Sequence, residues 1–325
     1  MRRTVPVVLT LLLVTAVVSV GVVGWRILDR VGPLLADEEC VVVVDGQEVS
    51  LSLEQAENAA LIAAIGVRRG LPARATSIAL ATAIQESKIL NLATGDRDSL
   101  GIFQQRPSQG WGTAAQVRDP VYATNAFYDA LVEVEGYRDL PITEAAQAVQ
   151  RSAYPDAYAD HEDDARALAS ALTGNSPGTF HCELDGSVDP GNATLRDTGL
   201  TPRAERVRKE IVSVFGDAVP LGGFAPGGVS SGHMEGSAHY SGRAVDAFFR
   251  PINDDNLRRG WAVASYLVAQ AERLKVATII FDGMIWTARR SDQGWRTYDV
   301  DTSGRDEATA AILEHRDHVH VDVFA

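Results

Sequence analysis

The sequence predicts an α+β multidomain chain: an N-terminal transmembrane helix, a mainly helical domain, then an α+β domain. Three observations carry that expectation. An uncharged run extends from Thr4 to Trp25, helical periodicity dominates 40–173, and after residue 201 helical stretches alternate with short strand candidates. Between the last two lies 174–201, where GNSPGTF, DGSVDPGNAT and TGLTP are rich in turn formers, so this stretch reads as a linker. The expected divisions are therefore 1–30, 40–173, 174–201 and 202–325. A chain of 325 residues has room for two domains of ordinary size.

Hydrophobic residues make up 46% and charged residues 22%, the balance of a globular protein and not of a disordered one. A net charge of −13 argues against a nucleic-acid partner and against attachment to anionic lipid through a basic patch. The N-terminus offers another route. Arg2 and Arg3 precede the apolar run, Trp25 suits an interfacial position, and Arg26 and Arg30 close the segment. At about 1.5 Å per residue the run would span a hydrocarbon core of about 30 Å. The alternative is a cleaved signal peptide, but no small-x-small cleavage site follows directly. The expectation is a single-pass protein of the cell membrane, anchored through 1–30, with the bulk of the chain extracytoplasmic. Cys40 and Cys182 are the only cysteines. They either form one disulfide in an oxidising compartment or remain two thiols.

Along the chain, residues 40–50 read as a hairpin turning at Asp45-Gly46. Ser52 with Gln55 makes a capping box for a helix whose buried stripe is Leu53, Ala60, Leu61, Ala64 and Ile65. A second helix covers 74–87, and others cover 119–136, 143–152 and 156–172. Beyond the linker, helices are expected near 203–215, 256–274 and 306–314. Strands are expected at Ala244–Phe249, Ala277–Asp282, Met284–Thr287 and Val319–Val323.

Two constellations carry chemistry. In the first, Glu86-Ser87 closes the second helix, and Gly101-Ile102-Phe103-Gln104 follows, preceded by Ser99 and trailed by Trp111. A Glu at a helix C-terminus works against the helix dipole. Burial against apolar neighbours raises a carboxyl pKa, which suits an acid that protonates a glycosidic oxygen. Phe103 and Trp111 are candidates for those neighbours or for stacking on sugars. This pattern resembles lytic transglycosylases and goose-type lysozymes, where Glu-Ser is followed by a Ser-x-Gly-(apolar)-Met-Gln-like segment. The resemblance implies a lysozyme-like fold, peptidoglycan as partner, Glu86 as general acid, and Ser99, Phe103, Gln104 and Trp111 as substrate-binding residues. Phe103 stands where the family carries Met. The family's later Ala-x-Tyr-Asn core is loosely echoed by Ser152-Ala153-Tyr154 and Tyr158. Asp96 and Asp98 are candidates for a second carboxylate, whereas lytic transglycosylases work with one.

In the second constellation, five of the seven histidines fall in the last hundred residues. The segment Ser237-Ala238-His239-Tyr240-Ser241-Gly242-Arg243-Ala244-Val245-Asp246 sets a His seven residues before an Asp. Near the C-terminus, Asp317-His318-Val319-His320-Val321-Asp322 alternates polar and apolar, so that in a strand His318, His320 and Asp322 share a face. His239, Asp246 and His320 match the three protein ligands of a catalytic zinc site. These motifs resemble the Ser-x-His-x-x-Gly-x-Ala-x-Asp signature of D-Ala-D-Ala carboxypeptidase-like peptidases, whose second motif is Glu-x-x-His or His-x-His. The resemblance implies one Zn2+ in the C-terminal domain and cleavage of the peptide part of peptidoglycan. His318 or Asp317 then takes the catalytic base position. If the strand includes 317, Asp317 points away from the metal, so it acts only from a turn before the strand. The family's carboxylate-binding Arg is absent from Gly222–Gly236, and Arg243 is the candidate substitute. Two functions follow: a peptidoglycan hydrolase, or a non-catalytic wall-binding scaffold with degenerate sites.

Overall fold

The computed structural model describes residues 38–152 and 156–325. The hairpin forms as β1 (Glu39–Val44) and β2 (Gln47–Ser52). Asp45 and Gly46 take φ of 51° and 86°, as a two-residue turn between twisted strands requires. Ser52 and Gln55 then exchange side-chain-to-backbone bonds in both directions, and helix α1 (Leu53–Arg68) begins. α1 buries Ala60, Ala64 and Ile65 of the expected stripe and also Ala56, Ala59, Ile62 and Ala63, whereas Leu53 and Leu61 are only half-buried. It is covered from more than one side, by α2 (Ala73–Ser87) and by a helix of the C-terminal half. Short helices α3 (Ala114–Val117), α4 (Pro120–Val132), α5 (Ile142–Gln150) and α6 (Glu162–Leu172) complete this helical part.

Within the stretch expected as a linker, Phe180–Glu183 form strand β3, which adds antiparallel to β1 in the order β2-β1-β3. Its four residues alternate buried and half-buried, but turn formers on both sides hid that pattern. Cys182 pairs directly with Cys40 across the ladder, and the two form a disulfide.

The C-terminal half comprises α7 (Pro202–Phe215), β4 (Leu221–Gly222), β5 (Ala244–Phe248), α8 (Asp254–Ala269), α9 (Ala271–Leu274), β6 (Val276–Phe281), β7 (Met284–Thr287), β8 (Arg296–Thr297), α10 (Glu307–Leu313) and β9 (His318–Val323). Six antiparallel strands run in the order β4-β5-β9-β6-β7-β8. Val245, Ala247, Val319, Val321 and Val323 are buried, and α8 packs on β6 and β9. Residues Glu39–Ala325 make one compact unit. α1 packs against α8, and hydrogen bonds cross between the halves: Arg68 Nη1 to Ser213 O (3.2 Å), Ser265 Oγ to Ala171 O (3.4 Å) and Gln270 Nε2 to Glu57 O (3.2 Å).

The transmembrane part of the expected fold class is corrected. Among the described residues no helix is long and apolar enough to cross a membrane. Their longest helices, α1 and α8, have 16 residues each and carry charge, short of the ~20 apolar residues a span needs. The run Thr4–Trp25 on which the expectation rested lies outside the described residues.

The disulfide closes a sequence separation of 142 residues. Replacing both cysteines by serine is expected to lower stability by about 3–5 kcal/mol in the chain-entropy account. Urea unfolding reads this as a lower midpoint, and an unchanged midpoint would contradict it.

Candidate functional site

The His239–Asp246 motif folds as two short pieces. Ser237 Oγ accepts from His239 N, opening a single 3-10 turn (Ala238–Ser241), and Gly242 closes it at φ 64°. β5 follows at once with Ala244 buried, so that Asp246 stands two residues along the same face. β5 pairs with β9 in a register that sets Asp246 opposite His320, Phe248 opposite His318 and Ala244 opposite Asp322. The polar residues of both strands therefore share one face, and the valines take the other.

The three expected ligands converge. His239 Nε2 lies 3.2 Å from Asp246 Oδ1 and 3.1 Å from His320 Nδ1, and His320 Nδ1 lies 3.2 Å from Asp246 Oδ1. Ligand atoms around a tetrahedral zinc with bonds of about 2.0–2.1 Å stand roughly 3.3–3.4 Å apart, so this donor set fits such an ion. The outward nitrogens are occupied. His239 Nδ1 donates to Gly223 O at 2.7 Å, and His320 Nε2 faces Asp322 Oδ2 at 3.5 Å. The inward nitrogens then present lone pairs to each other and to a carboxylate, an arrangement that requires a proton or a cation among them. Without a metal the proton takes that place. Burial opposes charge on His320, but Asp246 and Asp322 outweigh it and raise its pKa to about 9. Burial likewise opposes charge on Asp246, yet hydrogen bonds from His239 and His320 hold its pKa far below the carboxylate range. Gly223 admits the close approach: at φ 79°, a Cβ there would stand 2.3 Å from His239 Cε1 and 2.8 Å from Asp246 Oδ2.

β9 begins at His318, so Asp317 precedes it in a bend. Asp317 is buried behind His318, with Oδ1 2.6 Å from His318 Nδ1 and Oδ2 2.6 Å from Arg250 Nε. Burial raises the Asp317 pKa, but His318 and Arg250 outweigh it and keep the carboxyl ionised. Asp317 thus stands in a bend before the strand, the placement in which it was expected to be able to act, and its carboxylate is held between His318 and Arg250. The Nε2 of His318 is left 3.9 Å from Asp246 Oδ1, facing the ligand cluster.

These groups floor a cleft of about 750 Å³. Arg243 lines it, but its Nε bonds Ser241 Oγ and its Nη1 bonds Val323 O, so it mainly holds the turn against the last strand. Arg250 was missed by sequence reasoning. It lies on the rim, half-exposed, over the Phe248 ring at 4.3 Å. The period-two alternation from Asp246 through Phe248 reaches it two residues past the end of β5. His233 and His315 line the cleft as well. Burial, with His318 and His320 nearby, lowers the His315 pKa to about 3, so its ring is neutral. Ligand atoms of His233, His239 and Asp246 lie within 4.8 Å of one another.

In the helical part, Glu86 sits half-buried at the end of α2. Burial raises its pKa, opposed by hydrogen bonds from Tyr158 and Gln150. The Tyr158 hydroxyl donates to Glu86 Oε1 at 2.8 Å. Ser87 Oγ donates to Ile102 O at 2.6 Å, which ties the helix end to the Gly101–Gln104 turn. Ser99 is buried, and Gln104 takes φ 46° with Nε2 bonded to Gly101 O at 3.0 Å. Phe103 is fully buried and stacked on Phe127 at 4.6 Å between centroids, a placement that suits an apolar neighbour better than a platform for a sugar. Trp111, half-buried, lines a separate cleft of about 660 Å³ with Gln109, Gln150 and Arg151. Asp98 has its carboxylate oxygens engaged by Ser108 N and Arg106 Nε, both at 2.8 Å. Asp96 is exposed beside Arg97. Of Ser152-Ala153-Tyr154, residues 153 and 154 lie outside the described residues.

Glu86 carries a folded-state pKa above its unfolded value. Such a group stabilises fully below the unfolded pKa, and the contribution is lost as pH rises through the folded pKa. Glu86→Gln is expected to be more stable than the parent near about pH 8 and no more stable near about pH 4. Equal differences at both pH values in thermal unfolding would contradict the assignment.

Residues 196–312 match the family described as VldE, C-terminal domain, which covers just over a third of the chain. The match includes His239 and Asp246 and stops before β9. No curated protein matches the sequence. Over 196–312, the chain is similar to the VldE C-terminal domain.

Proposed function

We propose that this chain is a peptidoglycan hydrolase of an oxidising, extracytoplasmic compartment. The C-terminal half cleaves peptide with zinc, and the helical half cleaves the glycan strand with Glu86 as general acid. One observation carries the reading: the 3.1–3.2 Å convergence of His239 Nε2, Asp246 Oδ1 and His320 Nδ1 beside His318. Zinc held by these three supplies a Lewis acid at the floor of an open cleft. His318, with Nδ1 bonded to Asp317, keeps Nε2 toward that floor as a proton carrier. Arg250, on the rim, suits the carboxylate of a peptide C-terminus. The Cys40–Cys182 disulfide supports the oxidising compartment.

On the glycan side, burial favours the protonated form of Glu86, which is the form that donates to a leaving oxygen. Asp98, held by Arg106 and Ser108, is not free to activate water, and this favours single-carboxylate transglycosylase chemistry. One observation favours a second reading, in which the helical half holds glycan without cutting it: Glu86 is not among the residues lining the Trp111 cleft.

The test is product analysis by mass spectrometry after incubating the full chain with purified peptidoglycan and zinc. Peptide trimming is expected, absent in His239→Ala and slowed by about 10²–10⁴-fold in His318→Ala. Anhydro-sugar ends absent in Glu86→Gln support the glycan reaction, and reducing ends in their place indicate a lysozyme. No product from zinc-loaded protein would overturn the enzyme reading in favour of a wall-binding scaffold.

A further inference from the structure

We infer that His233 is a displaceable fourth protein ligand, which closes the metal site in the resting protein and swings aside for substrate. The inference rests on the zinc reading above and adds a residue to it.

A site with three protein ligands is open to substrate, whereas four protein ligands make a closed site. His233 stands where it can switch between the two. Its ring lies 3.9 Å from the His239 ring, centroid to centroid, at an interplanar angle of 17°. Nearly parallel rings point their nitrogens side by side and not at one centre, so the stacked position is the open one. The ligand atoms of His233, His239 and Asp246 nonetheless lie within 4.8 Å of one another, and a tilt about the His233 side-chain torsions covers that gap.

The backbone around His233 suits a moving arm. Gly232 and Gly236 flank it at φ 92° and 78°, and no atom lies within 4 Å of where a side chain would begin on either. His233 itself is fastened by Tyr240, whose hydroxyl accepts from His233 N at 3.0 Å and donates to His233 O at 2.5 Å, and Met234 O accepts from Ser237 N at 3.1 Å at the end of the arm. Tyr240 neighbours the ligand His239 in the same 3-10 turn, so the fastening keeps the imidazole over the metal site whether or not it coordinates.

The experiment uses the full chain loaded with Co(II), with azide as a probe of the open coordination position, followed by visible absorption. If the closed state outweighs the open one about tenfold, His233→Ala binds Co(II) about tenfold more weakly and azide about tenfold more tightly. Tyr240→Phe, which keeps the imidazole and loses the fastening, is expected to shift both in the same directions by less. The opposite signs distinguish a competing ligand from simple damage, which would weaken both. Co(II) bound by the parent, with azide affinity unchanged or weaker in both variants, would overturn the gate and leave the zinc reading standing. A parent that binds no Co(II) would overturn both.

Discussion

The register of β5 against β9 is the constraint on which the site depends. It places Asp246 opposite His320, and the alternation of both strands then sends the polar residues to the cleft and the valines to the helices α7 and α8. A slip of one residue would exchange those faces, burying imidazoles among apolar side chains and exposing valine. The same valines that hold the sheet to its helices therefore hold His239, Asp246 and His320 in their cluster. The 3-10 turn before β5 and the carbonyl of Gly223 bring His239 to the cross-strand pair from outside the sheet.

The helical half is built onto the same body. α1 meets α8, and the disulfide fastens β1, at the start of the hairpin, to β3, the strand that follows α6. Ser87 connects the end of α2 to the turn at 101–104, so the two parts of the Glu-Ser motif are one hydrogen-bonded unit. A Glu at that helix end is stabilised neither by the dipole nor by burial. The hydroxyl of Tyr158 offsets part of that cost, and the pKa stays raised. On the proposed reading, glycan and peptide chemistry would share one continuous core.

Much of this was legible in the sequence, because it depended on local rules. The hairpin at Asp45-Gly46, the Ser52–Gln55 box and the alternation of His318, His320 and Asp322 follow from turn chemistry and period two. The convergence of His239, Asp246 and His320 was readable from motif resemblance, and the strand register supplied its geometry. What escaped depended on distant neighbours. The sequence left Phe103 open between an apolar neighbour and a platform for sugars, and Phe127, from a helix still to come in the chain, covers it. β3 has only four residues among turn formers and exists through its pairing with β1. Asp317 contacts Arg250 as well as His318 because β9 starts at His318 and leaves 317 in a bend, and a one-residue boundary is beyond the reach of periodicity. Arg250 and His233 carry no motif: Arg250 continues the alternation of β5 beyond the strand's end, and His233 joins the cleft through tertiary position.

The most direct test of the account is the zinc stoichiometry of the full chain, measured by metal analysis after equilibrium dialysis. The account predicts one zinc per parent chain, lost in Asp246→Ala and in His320→Ala and retained in His318→Ala, whose imidazole faces the cluster without joining it. A parent chain that retains no zinc, or an Asp246→Ala variant that retains it fully, would contradict the claim that these three side chains form a metal centre.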